Sequence, residues 1–307
     1  MDSLEETHDN LLILDAGNFA FSDSRLSKDQ IQKEYKQASL IAEIYKIIPY
    51  DIVNLGPYDL SGGYQYLSHL KEMKRKFTIV SANIYDKQKQ TPYYKPYEII
   101  KYGKKKLGIL GITSQPPKTI PNIDIKPPLE VLQSQLNKLK REEKVDYTVL
   151  LAALNREDYT QLKESNLSPD LILMAMPRGR SRYLSNVKGK LIAKAGHEGK
   201  YVGLLSAKIN DPEAALTDIS FASYKKYFVN RRIKNYGNYT DGQTIEEYLS
   251  DNKRMRDMYE QLIAERDKMN QIIDSASNPV DFELIPVELS VEPKKIVEDK
   301  IREFQRK

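Results

Sequence analysis

The apolar run Ile52 to Leu55 stops at Gly56-Pro57-Tyr58-Asp59, and the chain then turns on Gly62-Gly63. A strand ending in glycine and polar residues is where α/β proteins place their reactive groups, and here those groups are a tyrosine and an aspartate. A second concentration of chemistry is Arg178-Gly179-Arg180-Ser181-Arg182, whose guanidinium forks suit bidentate recognition of an anion. Asn230 to Lys234, "NRRIK", offers the same charge. His197, set between Gly196 and Glu198, is the side chain able to exchange a proton near neutral pH. Each has a plainer alternative, because short basic runs form solvated faces and a lone histidine without an orienting partner is an ordinary loop residue.

Other chemistries are excluded. The chain has no cysteine, which removes disulfides, thiolate zinc sites and cysteine nucleophiles together. His8, His69 and His197 lie far apart, so a histidine-rich metal centre is hard to build. No Gly-x-Gly-x-x-Gly, Gly-x-x-x-x-Gly-Lys or Gly-x-Ser-x-Gly motif occurs. With 48 basic and 43 acidic residues, the net charge of +5 over 307 residues describes a mixed surface and no nucleic-acid partner is expected. No apolar run nears the ~20 residues that span a bilayer, so no transmembrane segment is expected. The polar start Met1 to Asn10 is unlike a signal peptide.

The elements that must position these residues follow from periodicity. Short β-rich segments are expected at Leu11 to Leu14, Ile52 to Leu55, Phe77 to Val80, Leu107 to Ile112, Thr148 to Ala152, Leu171 to Met174, Leu191 to Ala193 and Val202 to Ile209. They alternate with helical patterns, which implies an α/β sheet core. Ser27 to Gln30 forms a capping box before Ile31, Tyr35, Ala38, Ile41 and Tyr45 on one face. Leu129 to Leu139 reads as a second helix, and Pro293 opens a third carrying Ile296, Val297, Ile301 and Phe304. A basic, aromatic stretch, "YKKYFVNRRIKNY", precedes a capping box at Thr244 to Glu247. From there three-four spacing runs unbroken to Asn278-Pro279 and predicts one helix over 244–277, packing on its own domain or on another chain. "DFELIPVEL" alternates as a strand and is expected to return the chain to the sheet.

Five segments in order resemble the calcineurin-like metallophosphoesterases, in the branch containing 5′-nucleotidases. They are "LLILDAGN", "YDIVNLGPYDLSGG", "IVSANI", "GKKKLGILGITS" and "AGHEGKYVGLL", together covering about Leu11 to Leu205. The resemblance implies a two-sheet β-sandwich flanked by helices, within an α/β class. It also implies a metallophosphoesterase-like domain over 1–222, a basic and helical extension over 223–278, and a closing strand with a terminal helix over 279–307.

The family holds two metal ions at the strand ends, where they activate water and neutralise charge on a phosphoryl group. Carried onto this chain, the ligand positions have changed. The aspartate of Gly-Asp is Asn18, the asparagine of Asn-His-Glu is Pro57, and the dyad positions are Tyr58 and Ser61. A ligand histidine is Ala153, the Gly-His-x-His region becomes Met174 to Arg178 with Met176 inside it, and the first Asp-x-His is not found. Divalent metals need several donors at fixed geometry, so no metal and no cofactor are expected. The implied function is a binding or structural module in place of an enzyme, with a metal-dependent phosphoesterase using Asp59, Asn155 and His197 as the rival. Asn18, Asp59, Asn83, Asn155, Arg178, Arg180 and His197 should line the old cleft and could hold a small anion, unless Asp59 and Arg178 pair and close it. The 244–277 helix is a candidate surface for a protein partner or self-association. The resemblance points to a periplasmic or extracellular setting, with a cytoplasmic one as the alternative.

Overall fold

Ser27 starts the first long helix by accepting from Gln30 N, while the Gln30 side chain accepts from Ser27 N, so the capping box forms as its spacing predicts. The computed structural model describes residues 4, 6, 8, 10–176, 179–211, 213–236, 244–250, 252–287 and 292–306. Its contacts divide the chain into two compact units. Unit 1 is Met1–Arg180, Val187–Val202 and Pro286–Lys307; unit 2 is Ser181–Asn186 and Gly203–Ile285. The boundaries read from sequence, at 222 and 278, differ because unit 2 takes strands from both sides of its helices.

In chain order the first elements are β1 (Leu14–Asp15), α1 (Lys28–Tyr45), β2 (Ile52–Asn54), a 3₁₀ turn (Asp59–Gly62), α2 (Gly63–Glu72), β3 (Thr78–Val80) and β4 (Ile84–Asp86). They are followed by β5 (Tyr97–Tyr102), β6 (Lys105–Thr113), β7 (Ile123–Ile125), α3 (Pro128–Arg141), β8 (Tyr147–Ala153), α4 (Arg156–Glu164) and β9 (Leu171–Met174). Next come β10 (Ser185–Val187), β11 (Lys190–Ala193), β12 (Tyr201–Ala207), β13 (Leu216–Asp218) and α5 (Ser220–Tyr236). The chain closes with α6 (Ile245–Ser250), α7 (Lys253–Asp274), β14 (Asn278–Pro286) and α8 (Lys295–Gln305).

Unit 1 is built on two sheets. The first is β1-β2-β3, all parallel. In the second, β6, β8, β9 and β11 are parallel neighbours and β5 runs antiparallel to β6. Strand β8 is buried along its whole length, as a central parallel strand with both faces covered must be. One apolar core gathers Val53, Leu55, Ile79, Tyr66, Leu67 and Leu70 around α1 and α2; another gathers Leu110, Ile112, Leu150, Leu132 and Leu136 around α3. Tyr93 and Tyr94 belong to the first core and Tyr97 packs on the second. The two-sheet, helix-flanked α/β architecture implied by the resemblance is present.

A buried amide ties one sheet to the other. Asn54, at the end of β2, is fully enclosed, and the two hydrogens of its Nδ2 are shared among Ala16 O (3.0 Å), Ile112 O (2.9 Å) and Leu151 O (3.1 Å). Those carbonyls belong to the turn after β1, to β6 and to β8. Close approach is possible because residue 111 is glycine; a Cβ there would stand 2.4 Å from Asn54 Oδ1 and 2.5 Å from Val80 O. Asn83 adds a second tie, donating to Thr113 O and Lys126 O and accepting from Thr113 N.

Unit 2 differs from expectation in two places. The predicted single helix is two, α6 and α7, because Asn252 accepts from Met255 N and caps α7 anew, as asparagine does at a helix start. The capping box at Thr244 and Glu247 forms at the head of α6. The strand β14 joins β12 and β13 in a separate three-stranded sheet. The basic, aromatic stretch is the helix α5, whose Val229 and Tyr236 pack with Leu249 and Leu262 of α6 and α7.

Asn54→Ala leaves three enclosed carbonyls without their shared donor. It is expected to lower the unfolding free energy by about 2–4 kcal/mol, measured by urea denaturation; a loss below about 1 kcal/mol would contradict the bracing role.

Candidate functional site

The site is the pair of turns leaving β1 and β2. After Asp15 the chain reverses through Gly17 (φ 107°) and Asn18 (φ 67°), a left-handed pair that glycine and asparagine tolerate best. A Cβ on Gly17 would lie 2.8 Å from Gly56 N, so the two turns touch backbone to backbone. Asp59 laces them together: its carboxylate accepts from Asn18 N (2.7 Å), Ala20 N (2.8 Å) and Gly56 N (2.8 Å). Asn18 reciprocates by accepting from Tyr58 N at 3.0 Å. Its side chain lies over Gly56 beside Ala153, since a Cβ on Gly56 would meet Asn18 Oδ1 at 2.1 Å and Ala153 Cβ at 2.9 Å.

Electrostatics follow from this enclosure. Asp59 is fully buried, and desolvation pushes its carboxyl up to about 7 although three amide donors pull it down; the charge of Asp15 adds to the rise. Burial also raises Asp15, opposed by the Tyr45 hydroxyl at 2.6 Å and Gly17 N at 2.7 Å. Tyr45 in turn is held well above the usual phenol range by burial and by Asp15. The strand ends thus carry two coupled carboxyls turned inward onto backbone and phenol donors.

The other positions divide. Asn18, Tyr58, Asp59 and Ala153 lie around Gly56. Ser61 donates to Asp23 O at 2.8 Å, and Met176 packs on the second core. Asn83 is buried and spent on its backbone ties. Asn155 caps α4 by accepting from Asp158 N at 2.9 Å, and its own N–H donates to Ser114 Oγ. Arg180 lies 4.5 Å over the Tyr201 ring and donates to its hydroxyl. His197 is exposed, 3.5 Å from Glu198, which Lys200 holds at 2.6 Å. No hydrogen bond or ion pair among the described residues links Arg180 or His197 to the Asn18 and Asp59 lattice, so the seven proposed ligand-binding residues do not form one hydrogen-bonded cluster. Arg178 and its proposed pairing with Asp59 lie outside the described residues.

Sequence reasoning passed over Asp15, Tyr45 and Asn54 as site residues. A polar residue inside an otherwise apolar strand run was the available signal for Asn54. For a metal pair the donor set does not fit: Pro57 and Ala153 offer no donor, and both carboxyls are committed to hydrogen bonds. Among the described residues no group of three or more His, Cys, Asp or Glu is placed to hold a metal ion.

A carboxyl whose folded pKa exceeds its unfolded value of about 3.9 binds its proton more tightly when folded. Its contribution is therefore complete below about pH 4 and is lost as pH rises through the folded value. Stability is expected to fall between about pH 4 and pH 7, with Asp15 acting in the same direction. Asp59→Asn sets an NH2 group against amide donors; it is expected to cost about 1–3 kcal/mol at pH 5 and to flatten that decline. Thermal melts of both proteins across pH check this, and an unchanged slope in the variant would remove Asp59 as its source.

No protein-family model matches the chain. Over 108 residues, 33% of the chain, it is 31% identical to a 5′-nucleotidase of Vibrio cholerae, covering 19% of that protein. It is 25% identical over 151 residues to the protein UshA of Yersinia enterocolitica, covering 47% of this chain and 26% of UshA. The chain thus spans between a fifth and about a quarter of these curated relatives. A Staphylococcus aureus protein proposed to be a 5′-nucleotidase, solved in complex with alpha-ketoglutarate, aligns with 99% of this chain and 51% of its own, at TM-score 0.63 and 13% identity. The Vibrio cholerae relative and the Staphylococcus aureus structure carry the name of an enzyme, a 5′-nucleotidase, and nothing in the structure positively shows inactivity. The expectation drawn from the altered ligand positions, that the chain is not an enzyme, is corrected on that ground. What sequence and fold establish together is that the chain is similar to the 5′-nucleotidase branch of the calcineurin-like metallophosphoesterases.

Proposed function

We propose that the chain serves as a binding or structural module on a 5′-nucleotidase-like frame. The observation that carries it is the Asp59 carboxylate, which accepts three backbone N–H groups inside the strand-end turns. A group so committed stiffens a loop and presents no open coordination position. Recognition then falls to groups on the surface, Arg180 and His197 among them, with a small anion or a protein as partner. A periplasmic or extracellular setting, taken from the resemblance, is part of the same proposal. So is assembly through the 244–277 segment, although the apolar residues of α6 and α7 described above pack within their own unit. Among the described residues no helix is long and apolar enough to cross a membrane.

A second reading, a metal-dependent phosphoesterase with a rebuilt site, is favoured by one feature. Asp59 is buried and Asp15 half-buried at the strand ends, both carboxyls are raised, and the charge of Asp15 adds to the rise of Asp59; perturbed carboxyls of this kind concentrate at functional sites. The names of the relatives support it too.

Elemental analysis of protein purified without chelator, with nucleotide and phosphodiester hydrolysis measured on the same sample with and without EDTA, separates the two. The binding reading expects substoichiometric metal and a melting temperature that EDTA leaves unchanged. Stoichiometric metal with turnover that chelator abolishes would replace it by the second reading.

A further inference from the structure

Helix α5 presents three kinds of side chain on three sides. Ala222, Val229 and Tyr236 are buried, and Ile233 packs with them toward α6 and α7. Away from that face, Phe221, Tyr224 and Phe228 follow one another at three-four spacing, and Arg231 and Arg232 continue the same side by another turn. Tyr183, from the segment before β10, completes the cluster with ring centroids 5.1 Å from Phe221 and 5.9 Å from Tyr224; Tyr224 and Phe228 are 4.7 Å apart, Tyr227 and Phe228 5.3 Å. These rings are not core: Phe221 is 48% exposed, Tyr227 63%, Phe228 42% and Tyr183 37%. A contiguous aromatic surface left in water marks an interaction site.

Charge selects the partner. Between Ser220 and Tyr236 the sequence has Lys225, Lys226, Arg231, Arg232 and Lys234 and no acidic residue. Lys225 is spent on Glu265 at 2.5 Å; among the described residues no ion pair engages the other four. The partner is therefore anionic and must accept apolar rings beside its charge. Ring geometry decides between an anionic bilayer and single-stranded nucleic acid. A nucleic-acid platform needs open ring faces on which bases stack. Here neighbouring planes meet at 76°, 54°, 56° and 89°, so the rings pack edge against face and do not present a row of parallel faces. Such rings flanked by lysine and arginine suit the interface of a membrane, where aromatic residues sit at headgroup level and cations meet acidic lipid.

We propose that the Tyr183, Phe221, Tyr224, Tyr227 and Phe228 surface, with Arg231, Arg232 and Lys234, is a docking site for an anionic lipid bilayer. It rests on unit 2 alone and does not depend on whether unit 1 turns over a phosphoester.

The test is co-sedimentation of the full chain with vesicles of phosphatidylcholine alone or with about 30 mol % phosphatidylglycerol. Binding is expected to the acidic vesicles and not to the neutral ones, and to weaken when salt is raised from about 0.05 M to about 0.5 M. The double substitution Phe221→Ser with Phe228→Ser changes exposed side chains and is expected to reduce partitioning at least about tenfold. Arg231→Glu with Arg232→Glu is the second variant, with a comparable loss and a melting temperature near wild type. Absence of binding to acidic vesicles, or binding that neither variant alters, overturns the proposal. Binding of a fluorescent oligothymidylate through the same residues, with vesicles ignored, would reassign the surface to nucleic acid.

Discussion

The amide of Asn54 is the constraint on which unit 1 depends. A sandwich of two sheets is ordinarily held by apolar side chains, which resist separation but permit sliding, because the hydrophobic effect is non-directional. The two hydrogens of one buried nitrogen, shared among carbonyls of the turn after β1, of β6 and of β8, remove that freedom at one point. The point lies where the strand-end turns begin. Gly111 belongs to the same constraint, since any side chain there would meet the Asn54 oxygen and the Val80 carbonyl.

With the sheets fixed, the turns after β1 and β2 are forced into contact and their amide groups must be satisfied inside. Asp59 does this with one carboxylate for three donors, which explains why an acidic residue tolerates complete burial without a cation beside it. Burial and amide bonding act on its pKa in opposite directions, and burial prevails. The coupling to Asp15 follows from the same crowding, because both carboxyls close adjacent turns of one sheet. The resulting arrangement is rigid by hydrogen bonding where the two strand-end turns meet.

The fold was legible in sequence to the extent that it follows from periodicity and local chemistry. Apolar runs such as Leu171–Met174 became strands with those bounds, and the Ser27 and Thr244 capping boxes formed as written, because hydrogen bonds within one turn need no distant partner. The short strands β4, β7 and β13 have no comparable apolar run, and they arise from pairing with distant segments. The split between α6 and α7 was overlooked although Ser250-Asp251-Asn252 is rich in capping residues; continuous three-four spacing outweighed it, and spacing alone cannot register a cap that restarts the same pattern. At the site, Asn18, Pro57, Tyr58, Asp59 and Ala153 could be singled out, while their hydrogen bonds could not be foreseen. Whether Asp59 would reach solvent, a cation or backbone amides depends on an approach between turns that is set by glycines at 17, 56 and 111.

Unit 2 shows how one helix can answer demands that conflict in a simpler sequence pattern. An amphipathic helix has one apolar face and one polar face, and α5 was hard to classify because its aromatic residues fall on two sides. Tyr236, with Val229 and Ile233, serves the helical core, where tight packing selects aliphatic and enclosed aromatic groups. The aromatic residues at 221, 224, 227 and 228 remain half in water, shielded mainly by one another and by Tyr183. Such exposure carries a cost in solubility, which the four cations outside the Lys225–Glu265 pair offset by keeping like copies apart. The same cations forbid a second copy of this face as its natural cover, since bringing two such helices together would oppose their charges. An oppositely charged surface is what the composition of α5 leaves as its complement.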